Sequence, residues 1–215
     1  MTGRVVIADD HPLFRAAMRL AVAKVWPDAQ VIEAASAAEA RAALGAGGEG
    51  VEALLLDLHM GDSSGLSVLM DLRQDFPALP IAIVSASEEP RIPAAACQLG
   101  AAAFIPKSAS LEDMRESLEA VRAGDGWFPP SAACADEDLL RIASLTPAQR
   151  RILAGMRQGL LNKQIAYELG ISEATVKAHI TPIFRKLGVG TRTQAVLLAA
   201  KLDVDQPVAA SSPGA

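Results

Sequence analysis

Cysteine is scarce: Cys97 and Cys134 are the only two in 215 residues. They are too few and too unpatterned for a disulfide framework or a zinc site. No run of about 18 apolar residues occurs, so no transmembrane helix is expected. The opening MTGRVVIADDHP meets two acids almost at once and lacks the layout of a signal peptide. No internal repeat is visible. A soluble cytoplasmic chain with no membrane partner is the expectation. Apolar residues, by contrast, make up 51% of the chain. That is enough for packed cores and argues against wholesale disorder. The length suits one large domain or two small ones.

The net charge of −5 hides a split. Residues 145–202 hold nine Lys or Arg and two acids, Glu168 and Glu173, a net of +7. The remainder carries a net of −12. A basic module on an acidic body suggests that only the C-terminal part meets nucleic acid.

Up to residue 123, short apolar runs alternate with longer amphipathic, Ala-rich stretches. The runs are Val5–Ala8, Ala29–Glu33, Ala53–Leu56, Ile81–Val84 and Ala102–Ile105. Helical patterns lie near 12–25, 36–46, 64–75, 91–99 and 110–123, with Ser36 and Glu39 forming a capping-box pattern. Unalternating apolar runs suit strands buried on both faces. Five strand–helix units predict an α/β doubly wound, flavodoxin-like fold with a five-stranded parallel sheet over 1–123. Residues 124–144, with Pro129, Pro130 and an acidic stretch, read as a linker containing a brief helix near 137–143. Residues 145–202 show only helical patterns. The Pro/Ala/Ser-rich tail, 203–215, reads as disordered. Gly45, Gly47 and Gly50 satisfy G-x-G-x-x-G literally, but they follow a helix and precede a strand, the reverse of a dinucleotide fingerprint.

Asp9 and Asp10 follow the first predicted strand, and Asp57 ends the third. Both positions lie at the carboxyl edge of a parallel sheet, where open α/β folds bind ligands. Three converging carboxylates repel one another unless a cation joins them. Oxygen ligands with water positions left free favour Mg²⁺ over zinc. Ser85 ends the fourth predicted strand and Lys107 follows the fifth, so both reach the same edge. Mg²⁺, an amine and a hydroxyl around a carboxylate make a site for phosphoryl transfer to Asp. Each piece alone has a bland explanation: a helix cap, a surface lysine, a turn. Together, at the ends of four predicted strands, they are hard to explain by structural need.

At this point residues 3–123 resemble the receiver domains of two-component systems. The resemblance is carried by ADDHPLFR (8–15), LLLDLHMGDSSG (54–65), VSAS (84–87) and GAAAFIPK (100–107). It implies that Asp57 is the phosphoacceptor, attacking the phosphohistidine of a sensor histidine kinase. It further implies that Asp10 and Asp9 bind Mg²⁺ together with Asp57 and the backbone carbonyl of His59. Ser85 and Lys107 would bind the phosphoryl oxygens, and Phe104 matches the aromatic switch position. His11 could ligate a metal, although the resemblance places it at the start of the first helix in one subgroup. The chain departs from the family pattern at Gly61, where Pro is usual, and at Ser85, where Thr is commoner. Pro90 and Pro93 fall where the fourth helix should begin, so a short, loosely held helix starting near Arg91 is expected.

In the basic module, Thr146-Pro147-Ala148-Gln149 is a capped helix start. A second helix is expected over about 162–169, ended by Gly170. A third, capped by Ser172, runs to about Leu187, with Val176, Ile180, Ile183, Phe184 and Leu187 on one stripe. Its other face shows Ala174, Lys177, Ala178, Thr181 and Arg185, small and basic enough to enter a major groove. Two helices joined by a short Gly-containing turn make a helix-turn-helix. Residues 145–200 resemble the LuxR-type helix-turn-helix, and with the receiver this implies the NarL/FixJ group of response regulators. By that resemblance Lys177, Ala178 and Thr181 face bases of double-stranded DNA. Lys163, Thr175, Arg185, Lys186 and Arg192 become candidate phosphate contacts. The group usually binds as a homodimer, for which the final helix, Gln194–Lys201, is the candidate contact. Departures are the lack of acids at Ala148–Arg151 and Pro182 inside the recognition helix, where it should bend the helix.

The expected function is a non-enzymatic transcription regulator controlled by phosphorylation. An aspartyl-phosphate enzyme of the haloacid dehalogenase kind needs its nucleophile in an early D-x-D element, whereas Asp57 lies on the third strand. A partner- or ligand-gated DNA binder independent of phosphorylation is the remaining alternative. Loss of an acid or of Lys107 would favour it, and none is lost.

Overall fold

Strands form where apolar runs are too short for helices, and helices where the apolar residues recur every three to four positions. The computed structural model describes residues 3–45, 48–60, 63–87, 89, 91–129 and 137–202. Gly61, Pro90, the tail from 203 and part of the expected linker lie outside them, and so does part of the glycine motif. The N-terminal elements are, in order, β1 (Arg4–Ala8), α1 (Pro12–Val25), β2 (Gln30–Ala34), α2 (Ala37–Leu44) and β3 (Val51–Asp57). A minimal antiparallel pair, β4 (His59–Met60) and β5 (Ser63–Ser64), precedes α3 (Ser67–Asp75). Then come β6 (Ile81–Ser85), α4 (Arg91–Gln98), β7 (Ala103–Pro106) and α5 (Leu111–Ala123).

The main sheet is parallel throughout, in the order β2-β1-β3-β6-β7. Because alternate residues face opposite sides, each strand feeds two cores. Val5, Ile7, Leu55, Val84 and Ile105 pack with Met18, Val22, Met114 and Leu118 of α1 and α5. Val6, Leu54, Leu56, Ile83 and Phe104 pack on the other face, towards α2, α3 and α4. The order reverses between β1 and β3, so β1, β3, β6 and β7 all present their carboxyl ends beside that crevice. Ser36 caps α2 by accepting from the Glu39 amide, as its sequence pattern predicts.

The C-terminal helices are α6 (Glu137–Ala143), α7 (Pro147–Arg157), α8 (Asn162–Leu169), α9 (Glu173–Leu187) and α10 (Arg192–Ala199). A 3-10 turn, Ala200–Leu202, follows. Thr146 and Gln149 form the reciprocal cap of α7, and Ser172 caps α9. Gly170 and Gly188 end α8 and α9 in the left-handed conformation (φ 65° and 70°) that a side chain would disfavour. Gly155 serves packing instead. A Cβ there would lie 2.8 Å from the Ile165 side chain, so its absence lets α7 and α8 approach.

The brief helix expected near 137–143 is present, and one other expectation needs correction. The brief helix in the supposed linker is α6, and Leu139 and Ile142 are buried in the core of the C-terminal helices. It is part of that unit because both apolar residues find partners there. The fourth helix of the receiver does begin at Arg91, but it is not loosely packed. Ile92, Pro93, Ala94, Ala95 and Ala96 are all buried, covered by the sheet on one side and by α6 on the other. Pro93 falls in the first turn, where its missing N–H costs no helical hydrogen bond.

Candidate functional site

The carboxyl edge gathers the acids that the sequence singled out. Asp9 and Asp57 are buried and Asp10 is open to solvent. Ligand atoms of Asp9, Asp10, His11 and Asp57 all lie within 4.8 Å of one another. Short turns after the strands aim them: the His11 amide donates to Asp9 Oδ1 at 2.7 Å, and the His59 amide donates to Asp57 Oδ1 at 3.1 Å. Lys107, carried just past β7, places Nζ 2.7 Å from Oδ2 of both Asp9 and Asp57. Its ammonium also lies 4.9 Å from the centre of the Phe14 ring on α1. His11 Nδ1 is 2.6 Å from Asp10 Oδ1, and His59 Nδ1 is 4.0 Å from Asp57 Oδ1.

Burial pushes the Asp57 carboxyl above the ordinary carboxylate range, against the pull of Lys107 and the His59 amide. Burial would lower Lys107, but its hydrogen bonds to Asp57 and Asp9 outweigh that and hold it above the usual lysine value. Ser85 is buried, its hydroxyl accepts from the Ser87 amide at 3.1 Å, and its carbonyl accepts from the Lys107 amide at 2.7 Å. Phe104 points into the core, and its amide donates to the Trp127 carbonyl at 2.9 Å. The segment after α5 thus extends the sheet edge at β7.

The set gathered there, three carboxylates and one imidazole with no thiolate, is dominated by hard oxygen donors and fits a hard divalent cation. Asp10 is the solvent-facing carboxylate through which such an ion would keep part of its water.

On α9, Val176, Ile183 and Leu187 are buried, and Ile180 and Phe184 are half-buried. Thr175, Lys177, Ala178, Thr181 and Arg185 are exposed, and so is Lys163 on α8. Lys177 pairs with Glu173 one turn earlier at 2.7 Å. The hydrogen bond from Lys177 holds the Glu173 carboxyl below its usual range. α9 runs unbroken from Glu173 to Leu187 through Pro182.

Lys186 and Arg192 differ from the other expected contacts. Lys186 Nζ donates to the Ser144 carbonyl at 2.7 Å and to Gln149 Oε1 at 3.0 Å. Arg192 donates to the Leu160 carbonyl and, at 3.4 Å, to the Met156 carbonyl and Asn162 Oδ1. Both cations satisfy oxygens at helix ends within the domain, where C-terminal carbonyls lack helical partners. The sequence placed them by position in a motif, which does not reveal that use.

One residue that sequence reasoning counted only as charge connects the two halves. Arg150 on α7 reaches Asp71 Oδ1 on α3 at 3.0 Å, bonds Gln74, and donates to the Leu145 carbonyl at 2.9 Å. The Leu66 amide, just before α3, donates to the Leu202 carbonyl at 2.9 Å. No local signal marks the contacts of Arg150 with Asp71 and Gln74 or of Leu66 with Leu202, because each joins residues far apart in the chain.

Among the described residues, no helix is long and apolar enough to cross a membrane. Residues 5–119 match the model of the response regulator receiver domain, and residues 143–199 match that of the bacterial regulatory proteins of the luxR family. The glycerol metabolism activator of Pseudomonas putida is 36% identical over 93% of this chain and 96% of its own length. The nitrate/nitrite response regulator protein NarP of Escherichia coli K12 is 33% identical over 91% and 93%. A solved structure of two RcsB dimers bound to two parallel DNAs shares the fold, with a TM-score of 0.56 at 23% identity over 94% of this chain and 100% of that one. The chain belongs to the response regulators of the NarL/FixJ group, in which a receiver is joined to a LuxR-type DNA-binding domain.

Proposed function

We propose that Asp57 accepts a phosphoryl group from a sensor histidine kinase and that this modification controls how the C-terminal domain engages promoter DNA. The observation that carries the reading is Lys107 clasping Asp57 and Asp9, beside Asp10, at the open edge of the sheet. In the reaction an Asp57 carboxylate oxygen forms a bond to phosphorus as the bond from phosphorus to the donor imidazole nitrogen breaks. The imidazole leaves with the electron pair and takes a proton, and the product is an acyl phosphate. Lys107 and the Ser85 hydroxyl hold the transferred oxygens. Asp9, Asp10, Asp57 and the His59 carbonyl would hold Mg²⁺, which supplies charge neutralisation for the phosphoryl oxygens. On α1, Leu13 at 87% exposure and Leu20 at 59% form an apolar stripe leading away from Asp10. That stripe suits a helix of the kinase bringing its phosphohistidine to the pocket.

On the DNA side, Lys177, Ala178 and Thr181 read bases, while Lys163, Thr175 and Arg185 take phosphates. Leu197, exposed at 67% on α10, suits pairing of two copies on DNA. The protein works in the cytoplasm as a regulator and not as an enzyme. No observation favours gating independent of phosphorylation, since every acid and Lys107 converge.

The test is Mg²⁺-dependent labelling with acetyl phosphate, followed by mapping of the modified residue. Label should appear on Asp57 and vanish in Asp57→Asn. Label that persists in that variant defeats the assignment.

A further inference from the structure

His11 is the cap residue of α1, a position that favours Ser, Thr, Asp or Asn, whose short side chains accept from the first helical amides. The imidazole makes no such hydrogen bond. The backbone does the local work instead: the His11 amide donates to Asp9 Oδ1, and its carbonyl accepts from the Phe14 and Arg15 amides. The ring turns back over the acids, with Nδ1 2.6 Å from Asp10 Oδ1 and 3.3 Å from Asp9 Oδ1. The helix start therefore does not require an imidazole. The pocket, however, gains a nitrogen donor that phosphoryl transfer does not use.

That nitrogen changes which ions the pocket suits. Mg²⁺ takes oxygen ligands, keeps several waters and gains little from an imidazole. Zn²⁺ binds imidazole and carboxylate at about 2.0–2.2 Å, and a full set of protein ligands closes its tetrahedral shell. Such a shell places neighbouring donor atoms roughly 3.3–3.6 Å apart. The 3.3 Å from His11 Nδ1 to Asp9 Oδ1 already matches. One donor atom each from Asp9, Asp10, His11 and Asp57 lie within 4.8 Å of one another. Only the contact of His11 with Asp10 is too close, and those side chains, 66% and 35% exposed, are free to part. Catalytic zinc sites keep one position open, whereas a zinc held by all of these groups has none. An Asp57 oxygen would then sit on the metal, with no coordination place left for a phosphoryl oxygen.

We propose that His11 makes this pocket a binding site for a first-row transition ion, Zn²⁺ above all, which Asp9, Asp10, His11 and Asp57 hold in a closed shell that blocks phosphorylation. This rests on the reading of the pocket as the cation and phosphoacceptor site, and adds to it a second, inhibitory ion. Zinc and Mg²⁺ compete for the same carboxylates, and His11 decides between them. The other imidazole nearby, His59, is not part of that group of donors. Its Nδ1 lies 4.0 Å from Asp57 Oδ1, which makes His59 the control.

The experiment uses the full chain, with His11→Ala and His59→Ala as variants. Calorimetry measures the Kd of Mg²⁺ and of Zn²⁺, with zinc titrated in the absence and presence of saturating Mg²⁺, so that only zinc sites contested by Mg²⁺ are counted. Loss of an outer-shell partner of a metal ligand costs about 10–100-fold in affinity, so losing His11 itself should weaken the contested zinc site by roughly ten-fold or more. The Mg²⁺ Kd of His11→Ala should stay within about two-fold of the wild type's. In protein carrying isotope-labelled histidine, zinc should shift ring-nitrogen signals that are absent from His11→Ala and retained in His59→Ala. Labelling by acetyl phosphate and Mg²⁺ is then compared, for each protein, with its own rate in added zinc. A zinc concentration that slows the wild type about ten-fold should slow His11→Ala less than about two-fold, since ten-fold weaker binding leaves its site about half filled. Zinc binding and inhibition that are the same in His11→Ala as in the wild type overturn the proposal, as does a wild type in which Mg²⁺ contests no zinc. A Mg²⁺ Kd that rises in step with that of zinc also overturns it, by making His11 a support for Asp10 and not a selective ligand. Zinc that binds through His11 without slowing labelling refutes the closed shell. A wild type that takes no label with Mg²⁺ alone defeats the phosphoacceptor reading and the blockade, and the zinc site is then decided by calorimetry and the ring signals.

Discussion

The ammonium of Lys107 lies 2.7 Å from the Asp57 carboxylate, at the centre of a pocket that also contains Asp9 and Asp10. Removing it leaves two buried carboxylates facing each other. Truncating one partner of such a group costs about 3 kcal/mol or more, because the remaining charge is stranded. Lys107→Ala should lose that much in urea unfolding without Mg²⁺. An unchanged midpoint would mean that the pocket is solvated well enough to need no cation.

The same pocket sets a pH and metal dependence. Asp57 has its pKa raised by burial, so its contribution favours the fold below the ordinary carboxylate value and turns against it as pH rises through the raised one. Lys107 contributes stability below the ordinary lysine value, lost as pH rises through its own raised value. At neutral pH in a chelator, Asp57→Asn should therefore unfold at a higher temperature than the wild type. Mg²⁺ at a hundred times its Kd should stabilise the wild type by about 2.7 kcal/mol. It should do far less for Asp10→Ala. Equal responses of those two proteins to Mg²⁺ would remove Asp10 from the ligand set.

DNA affinity should fall steeply with salt, since bound phosphates release counterions. Lys177→Ala should cost about 1–3 kcal/mol at a specific site and relax its sequence preference. Arg185→Ala and Lys163→Ala should weaken all sequences alike, each reducing the salt slope by about one. Lys186→Ala should behave differently, because its ammonium bonds Ser144 and Gln149. Its effect should be a loss of about 1 kcal/mol in stability of the C-terminal domain. A Lys186→Ala protein with wild-type stability and a reduced salt slope would return that lysine to the DNA surface.

His59 should tune the lifetime of the phosphorylated state. Its ring nitrogen lies 4.0 Å from Asp57 Oδ1, close enough for the imidazole to obstruct or orient water attacking a phosphoryl group carried there. His59→Ala should change the dephosphorylation rate several-fold while leaving the extent of labelling intact. Equal decay rates would confine His59 to its backbone.

Pro182 lies inside α9 and removes the amide that would bond the Ala178 carbonyl. Pro182→Ala should stabilise the C-terminal domain, by up to about 3 kcal/mol if the helix is otherwise unchanged. A loss of stability would show that the surrounding helices are packed to the proline's shape.

The sequence by itself determined the sheet and the acid pocket. Short unbroken apolar runs such as Leu54–Leu56 suit strands buried on both faces, and a parallel sheet brings the residues after its strands to one edge. Asp9, Asp10, Asp57, Ser85 and Lys107 were legible there because each borders such a run. The helix-turn-helix was equally legible, since Ser172, Gly170 and Gly188 act through their own backbone neighbours. Tertiary structure alone decided what meets across long separations. Pro93 suggested a weak helix, yet α6 covers α4, because burial outweighs local propensity. Lys186 and Arg192 were legible as candidate phosphate contacts, but their bonds to helix-end oxygens elsewhere in the domain were not. Arg150 differs from Arg151 in nothing a sequence displays. Its partner Asp71 is brought beside it only when the two domains dock.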